Sequence, residues 1–261
     1  MSRRGVLKVH QRSTNKYLHR MGCVRDATDV RVNALVYMFQ PVAEMVPDNS
    51  MANVQEEVSL LPVPLLDPQP GERVLDLCAA PGGKTFHLMD LLESADVIAL
   101  DDSAPRLARM QENMQRLKLS PPLLQTNGLS TPFADDTFAA ILLDAPCSAL
   151  GTSRRHPEVV HVRREEDLQN LALLQRDMLE EALRLLKPGG VLIYAVCSVL
   201  KAEGERRLEK VLKKNAHATV VPFTADDTPI ADALTPEGYI RTTPLMELDG
   251  FFIARLTKKA D

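Results

Sequence analysis

The sequence predicts a doubly wound, Rossmann-like α/β domain, and two observations carry that reading. Strand-like and helix-like segments alternate from about residue 73 onward, as βαβ crossovers require. Four of the strands (74–78, 97–100, 139–143 and 191–196) are nearly continuous apolar runs, which suits a parallel sheet covered by helices on both faces. Ligands then belong at the carboxyl ends of the central strands.

In chain order, residues up to about 50 show no clean periodicity; the stretch 30–39 (VRVNALVYMF) reads as a strand or a short helix, and Pro41 and Pro47 break the chain after it. MANVQEEVSLLPVPLL reads as a short helix broken by Pro62 and Pro64. The turn DPQPGE then leads into the strand RVLDLCA, seven residues ending at Ala79. Helices are predicted over 84–92, 104–117, 165–186 and 203–215, and further strands over 96–100, 123–126, 139–143, 191–196, 219–222 and 251–256, seven in all. The leucines of 168–186 fall at helical spacing and read as core packing. Two regions result: a basic amino-terminal extension, 1–50, and an α/β domain, 51–261.

Composition narrows the function. A chain of 261 residues, 45% hydrophobic and 25% charged, fits one large domain with a small appendage and excludes global disorder. No apolar run approaches the roughly 18 residues that span a bilayer, and no signal-peptide core is present. The four cysteines (Cys23, Cys78, Cys147, Cys197) form no C-x-x-C pair, so neither a disulfide framework nor a zinc site is expected, and a reducing cytoplasm is the natural compartment. The net charge of −4 is unevenly spread. The first 25 residues hold seven basic side chains and no acid, which leaves the body near −11. An acidic body binds polyanions poorly, so any nucleic-acid contact must come from local basic patches. The basic start is one such patch, with a solvated tail or an organelle-targeting segment as its other readings.

The cofactor end lies after the first strand, where Cys78-Ala79-Ala80-Pro81-Gly82-Gly83-Lys84 runs into a helix. Small residues let the backbone approach a ligand, and a helix start favours negative charge. Neither the phosphate-loop nor the dinucleotide spacing is present. The second strand closes on Asp101, suited to accept hydrogen bonds from two ribose hydroxyls. Together these point to an adenosyl ligand without pyrophosphate, S-adenosylmethionine; the plainer reading of Asp101 is a cap for the helix starting near Ser103. At the chemical end, two strands finish in Asp144-Ala145-Pro146-Cys147-Ser148 and Cys197-Ser198. Strand ends point into the crevice, so Asp144 and both thiols are expected to converge there. Crevice thiols can act as nucleophiles once deprotonated, although cysteine is also a common buried residue. Cys78, placed within its strand, reads as packing whose backbone lines the ligand; Cys23 has no context.

Six segments in order, LDLCAAPGGKT (75–85), Asp101, DAPCSALG (144–151), RRHPEV (154–159), KPGG (187–190) and YAVCSVL (194–200), closely resemble the Sun/Fmu family of RNA cytosine-C5 methyltransferases, over about residues 51–261. The resemblance implies the seven-stranded class I methyltransferase form, with Cys197 attacking C6 of a flipped-out cytosine and Cys147 assisting release of the adduct. It implies that Asp144 contacts cytosine and cofactor, and that Cys78 to Lys84, Asp101, Asn127 and Asp144 bind S-adenosylmethionine. The departures are Asn127 where the family usually has Asp, Val196 before the second cysteine instead of Thr, and Lys201 in place of Pro. Only about 50 residues precede the catalytic motifs, among which VRVN resembles a fragment of the usual preceding region. Arg154, Arg155 and His156 directly follow the first cysteine loop and are expected to hold RNA phosphates, the alternative being a solvated run that pairs with neighbouring acids. Arg163 and Arg164 suit either role. The expected partner is ribosomal RNA, bound by a monomer. Two other readings stay open: a shortened RNA-binding or ribosome-assembly paralogue without turnover, and a DNA cytosine-C5 enzyme in which Cys147 is the nucleophile.

Overall fold

Apolar runs without polar breaks require cover on both faces of a strand, and the sheet shows this residue by residue. In β4 (Phe138–Asp144), Ile141 and Leu143 join one buried cluster while Ala140 and Leu142 join another. In β5 (Leu186–Val196), Leu192, Tyr194 and Val196 take the first face, and Ile193 and Ala195 the second. Successive side chains point to opposite faces, so over 140–143 and 192–196 neither strand has a position to give to solvent, and exposure in β5 is confined to Lys187, Pro188 and Gly189 at its start. Truncating one of the buried side chains, as in Leu142→Ala, is expected to cost about 2–5 kcal/mol.

The structure is a computed structural model that describes residues 57–92 and 96–259. The basic extension 1–50, the stretch 30–39 and Cys23 lie outside the described residues. Before the sheet stand two short helices, α1 (Glu57–Leu60) and α2 (Pro62–Leu66), the second with Pro62 in its first turn, where a missing N–H costs nothing. The remaining strands are β1 (Arg73–Asp76), β2 (Asp96–Asp101), β3 (Leu123–Gln125), β6 (Ala218–Val220), β7 (Ile240–Arg241) and β8 (Phe252–Lys258), arranged β3-β2-β1-β4-β5-β8-β6 with β7 paired to β8. All seven expected strands are present, and the two-residue β7 is an eighth. Strands β1 to β5 run parallel, whereas β8 is antiparallel to β5, β6 and β7. Strand order reverses between β1 and β4, so their carboxyl ends open the crevice in which this topology binds ligands.

Between the strands lie α3 (Gly83–Leu91), α4 (Ala104–Leu117), α5 (Val159–Val162), α6 (Glu165–Leu185) and α7 (Glu205–Leu212). Helix α4 begins after Ser103 with Pro105 in its first turn, buries Leu107 and Met110 on one face, and ends at Lys118 in the left-handed region. Helix α6 opens with Glu165, Glu166 and Asp167, acids that suit the positive end of the helix dipole, and the Arg164 N–H donates to the Asp167 carboxylate at 2.9 Å. Its buried Leu179, Ala182 and Leu183 pack on β4 and β5. Helix α7 is shorter than the periodicity predicted because 200–204 closes as a turn, with Glu203 N–H bonded to the Leu200 carbonyl. No described helix is long and apolar enough to cross a membrane.

Candidate active site

Strand β1 stops at Asp76, so Cys78 sits in the following turn and not within the strand as predicted. The backbone still follows its neighbours: Leu77 N–H bonds Leu142 O and Ala79 N–H bonds Leu100 O, both at 2.9 Å. The chain then turns through a cis Ala80–Pro81 bond to Gly82, whose φ of 107° lies in the left-handed region and whose Cβ, if present, would meet the Phe86 ring at 2.4 Å. Glycine alone fits there, and helix α3 can start directly beneath the crevice. Asp101, 2% exposed at the end of β2, holds this loop from the side. Its carboxylate accepts Ala80 N–H at 3.1 Å and Ser103 N–H at 3.0 Å, and the Arg106 guanidinium lies 3.4 Å away. Arg106 also donates to the Ala80 carbonyl. The cap reading of Asp101 is therefore real, but the same carboxylate faces the glycine loop after β1.

Beneath the loop is a buried acid that sequence reading passed over. Asp76 accepts the Thr85 hydroxyl at 2.7 Å through one oxygen, while its other oxygen is buried without a hydrogen bond. Burial lifts its pKa to about 6, against the lowering effects of Thr85 and the Lys84 charge. An orphaned carboxylate oxygen at the reversal point, a ribose-suited acid on β2 and a loop of small residues together fit a ligand that carries hydroxyls and a cation, as S-adenosylmethionine does. Lys84, also buried, pairs with Asp144 at 2.7 Å. Burial disfavours its ammonium, but the charge and hydrogen bond of Asp144 outweigh that and hold its pKa above the ordinary value; Cys197 lies near enough to contribute.

The two cysteine loops meet at the ends of β4 and β5. Cys147 Sγ and Cys197 Sγ are 3.2 Å apart, both partly buried. The hydrogen bond to Cys197, reinforced by burial, pushes the Cys147 thiol well above its usual pKa, so Cys147 keeps its proton. Cys78 is likewise raised, by burial and then by the carboxylates of Asp76, Asp101 and Asp144, and stays a neutral wall of the crevice. Under the thiols lies a polar knot centred on Glu203, which is 1% exposed. One of its oxygens accepts Ser148 N–H at 2.8 Å and the Gln175 amide at 3.0 Å; the other accepts the hydroxyls of Ser148, at 2.6 Å, and Ser198. Gly151 N–H bonds the Cys197 carbonyl at 3.1 Å, and a Cβ at Gly151 would collide with the Gly250 carbonyl at 1.8 Å.

The remaining sequence choices fare differently. Asn127 is exposed, and its side-chain carbonyl accepts Leu129 N–H at 2.9 Å, so the acceptor expected to bind the cofactor is engaged in its own turn. The guanidinium of Arg155 is bonded to the buried Asp249, at 2.8 Å from Nε, which makes it a tie between the first cysteine loop and the segment before β8. Arg154 stands 3.8 Å from the same carboxylate, with its side chain 41% exposed. His156 is exposed beside Glu158 at 3.2 Å. Arg163 donates to the Ser148 carbonyl at 2.7 Å, bracing the Cys147 loop. Asp76, Arg106 and Glu203 are what sequence reasoning missed. Asp76 at a strand end was the one with a legible signal.

Strands in this order, an antiparallel strand beside β5, a glycine loop after β1 and an acid closing β2 define a Rossmann-like methyltransferase domain. More particularly, the chain belongs to the family described as 16S rRNA methyltransferase RsmB/F, whose family model matches residues 63–257, a span that holds the loop, Asp101 and both crevice cysteines. It is 44% identical over 216 residues to ribosomal RNA small subunit methyltransferase B of Erwinia tasmaniensis, covering 81% of this chain and 48% of that protein. To the protein of the same name from Serratia proteamaculans it is 44% identical over 200 residues, covering 75% and 44%. The chain thus spans about half the length of these curated relatives. Among solved structures, NSun6 from Pyrococcus horikoshii with SFG aligns at a TM-score of 0.70 and 30% identity, covering 83% of this chain and 57% of that one. A methyltransferase homolog protein from Pyrococcus horikoshii aligns at 0.64 and 34%, covering 78% and 67%. The expected kinship with the Sun/Fmu family is borne out.

Proposed function

We propose that this chain is an S-adenosylmethionine-dependent ribosomal RNA methyltransferase that modifies cytosine at C5 through a covalent cysteine adduct. The observation that carries the reading is the pair of thiols at the ends of β4 and β5, 3.2 Å apart, with the Lys84–Asp144 ion pair near Cys197. The relatives' names supply the substrate class, ribosomal RNA of the small subunit, and the NSun6 structure with SFG, an S-adenosylmethionine analogue, supports the cofactor.

Cytosine C5 is a poor nucleophile. Addition of the Cys197 thiolate to C6 forms a C–S bond and moves electron density to C5, which splits one hard step into easier ones. Lys84 puts a positive charge near that thiol, and Cys147, which keeps its proton, stands within hydrogen-bond reach of Cys197 Sγ at 3.2 Å. Cofactor-binding roles are assigned to residues 78–84, Asp101 and Asp144; bound there, S-adenosylmethionine supplies an electrophilic methyl group. Asp144 orients the cytosine. After loss of the C5 proton to a base, the C–S electrons return to Cys197, and the Cys147 thiol assists that release. Arg154 and His156, exposed beside the first cysteine loop, are assigned to RNA phosphates; Arg155 serves by holding that loop to Asp249.

The engaged carbonyl of Asn127 favours a second reading, an RNA-binding paralogue without turnover. One assay separates them: labelled small-subunit ribosomal RNA and S-adenosylmethionine on a denaturing gel with wild type, Cys197→Ala and Cys147→Ala. Cys147→Ala is expected to accumulate a protein–RNA complex that survives denaturation, and Cys197→Ala to form none. Adduct retained by Cys197→Ala and missing from Cys147→Ala would reverse the two roles. RNA affinity without adduct or methylation in any protein would establish the binding-only reading.

A further inference from the structure

The geometry points to Glu203 as a positioning residue that sets the separation of the two thiols, an inference that rests on the function proposed above. Glu203 lies in the turn before α7, at the far end of the connection that Cys197 opens, and it is bonded to both cysteine segments. Through Ser148 N–H (2.8 Å) and Ser148 Oγ (2.6 Å) it holds the residue after Cys147, and through the Ser198 hydroxyl it holds the residue after Cys197. The two hydroxyls also lie 3.2 Å from each other, the same spacing as the two sulfurs one residue earlier in each chain. The Gln175 amide bridges Glu203 and the Pro146 carbonyl at 3.0 and 2.9 Å, so the residue before Cys147 is held as well. The Glu203 backbone is fixed in turn, its carbonyl accepting the Tyr194 hydroxyl at 2.6 Å.

Every donor in this knot matches an acceptor. Ser148 N–H and the Gln175 amide can only donate, and both fall on one oxygen of Glu203. The hydroxyls, which can also accept, fall on the other. Ser148, Ser198 and Gln175 are fully buried and Glu203 is nearly so, so no water competes for these bonds. A carboxylate that takes three donors from two loops and a fourth from α6 fixes the loops' mutual distance more firmly than apolar contact alone, since each bond is charge-assisted and directional. Sulfurs that must alternately share and surrender a proton need such a fixed distance, and neither thiol can supply it alone.

The experiment reads thiol separation directly and methyl transfer separately. The full chain is treated with diamide, which takes two electrons and two protons from a pair of thiols as the disulfide closes. Formation of the Cys147–Cys197 bridge is followed by peptide mass. Ser148→Ala combined with Ser198→Ala removes both hydroxyl donors but leaves Glu203 its two obligate ones. Bridging in this variant is expected to slow at least tenfold and kcat to fall at least tenfold, while KM for S-adenosylmethionine stays within twofold. Glu203→Gln keeps an acceptor for Ser148 N–H and Gln175, with an amide the hydroxyls can accept from, and is expected to bridge within about threefold of wild type. Glu203→Leu is expected to lose bridging; should it fail to fold, the double serine variant decides alone. Bridging and kcat equal to wild type in the double variant, or a loss of kcat matched by an equal rise in KM and a collapse of the melting transition, would overturn the assignment. A wild-type chain that bridges rapidly but methylates no RNA would overturn the proposed function instead, and the bridging rates would still test Glu203.

Discussion

The two walls of the crevice are built to opposite specifications. On the cofactor wall, one oxygen of the buried Asp76 makes no hydrogen bond. On the thiol wall, each oxygen of Glu203 takes two donors, and the atom left over there is a neutral amide oxygen, Gln175 Oε1, where the cofactor wall leaves a carboxylate oxygen. A binding surface gains from groups whose partners arrive with the ligand, whereas a reacting surface gains from groups already held in place. The contrast teaches that ligand affinity and thiol geometry rest on separate sets of bonds and should fail separately.

The largest effect that would sharpen this contrast is expected from Asp101→Ala. Loss of the ribose acceptor should weaken S-adenosylmethionine at least a hundredfold by calorimetry, about 3 kcal/mol, while the diamide bridging rate of the thiols stays unchanged. Unchanged cofactor affinity would reduce Asp101 to the cap of α4, and a slowed bridge would break the separation of the two walls.

A second test lies in acid. Burial, together with the Lys84 charge, lowers the His87 pKa to about 4 from 6.5. The fold therefore loses stability as pH falls from 6.5 toward 4, where the unfolded chain takes up the proton first. Asp76 works in the opposite sense. Its pKa is raised from 3.8 to about 6, so the stability it provides when protonated is full below 3.8 and is lost as pH rises through 6. Each shift corresponds to about 3 kcal/mol, so in wild type the two nearly cancel between pH 6 and 4. Urea midpoints of Asp76→Asn should fall across that range, and those of His87→Leu should rise. Parallel curves for wild type and both variants would show that neither group titrates as its burial requires.

The smallest effect belongs to Asn127→Asp. A carboxylate has lone pairs to spare after accepting Leu129 N–H, so cofactor affinity should rise a few-fold, about 1 kcal/mol. No change would mean that residue 127 only shapes its turn.

Much of this architecture was legible in the residues. Helix α4 runs over 104–117 as predicted, because Ser103 and Pro105 mark its start and its apolar positions keep helical spacing. The convergence of both cysteines followed from their places at strand ends. Strand direction was not legible: the run forming β8 looks like any other buried strand, and nothing local reveals that it lies antiparallel between β5 and β6. Glu203 was hidden inside what read as the start of a helix, and its partners Ser148 and Gln175 are distant in sequence. Arg155 read as a phosphate contact because a local charge run cannot disclose an acid as remote as Asp249. Pairing partners, more than element types, are what the linear order conceals.

The placement of β8 also bears on synthesis. A nascent chain can lay down β1 to β6 while these segments emerge in turn, yet β5 and β6 have no strand between them until Phe252–Lys258 arrives. The same late segment brings Asp249 to Arg155 and Gly250 N–H to the Gly151 carbonyl at 2.8 Å, locking the turn after Cys147. Domains begin folding from the amino end as they leave the ribosome. Here the thiol crevice is completed by a strand translated after both of its cysteines, so a polypeptide stalled before Phe252 would carry both thiols without the strand that orders their loops. Ribosome-bound intermediates of graded length, probed for thiol bridging, should stay silent until that strand has cleared the exit tunnel.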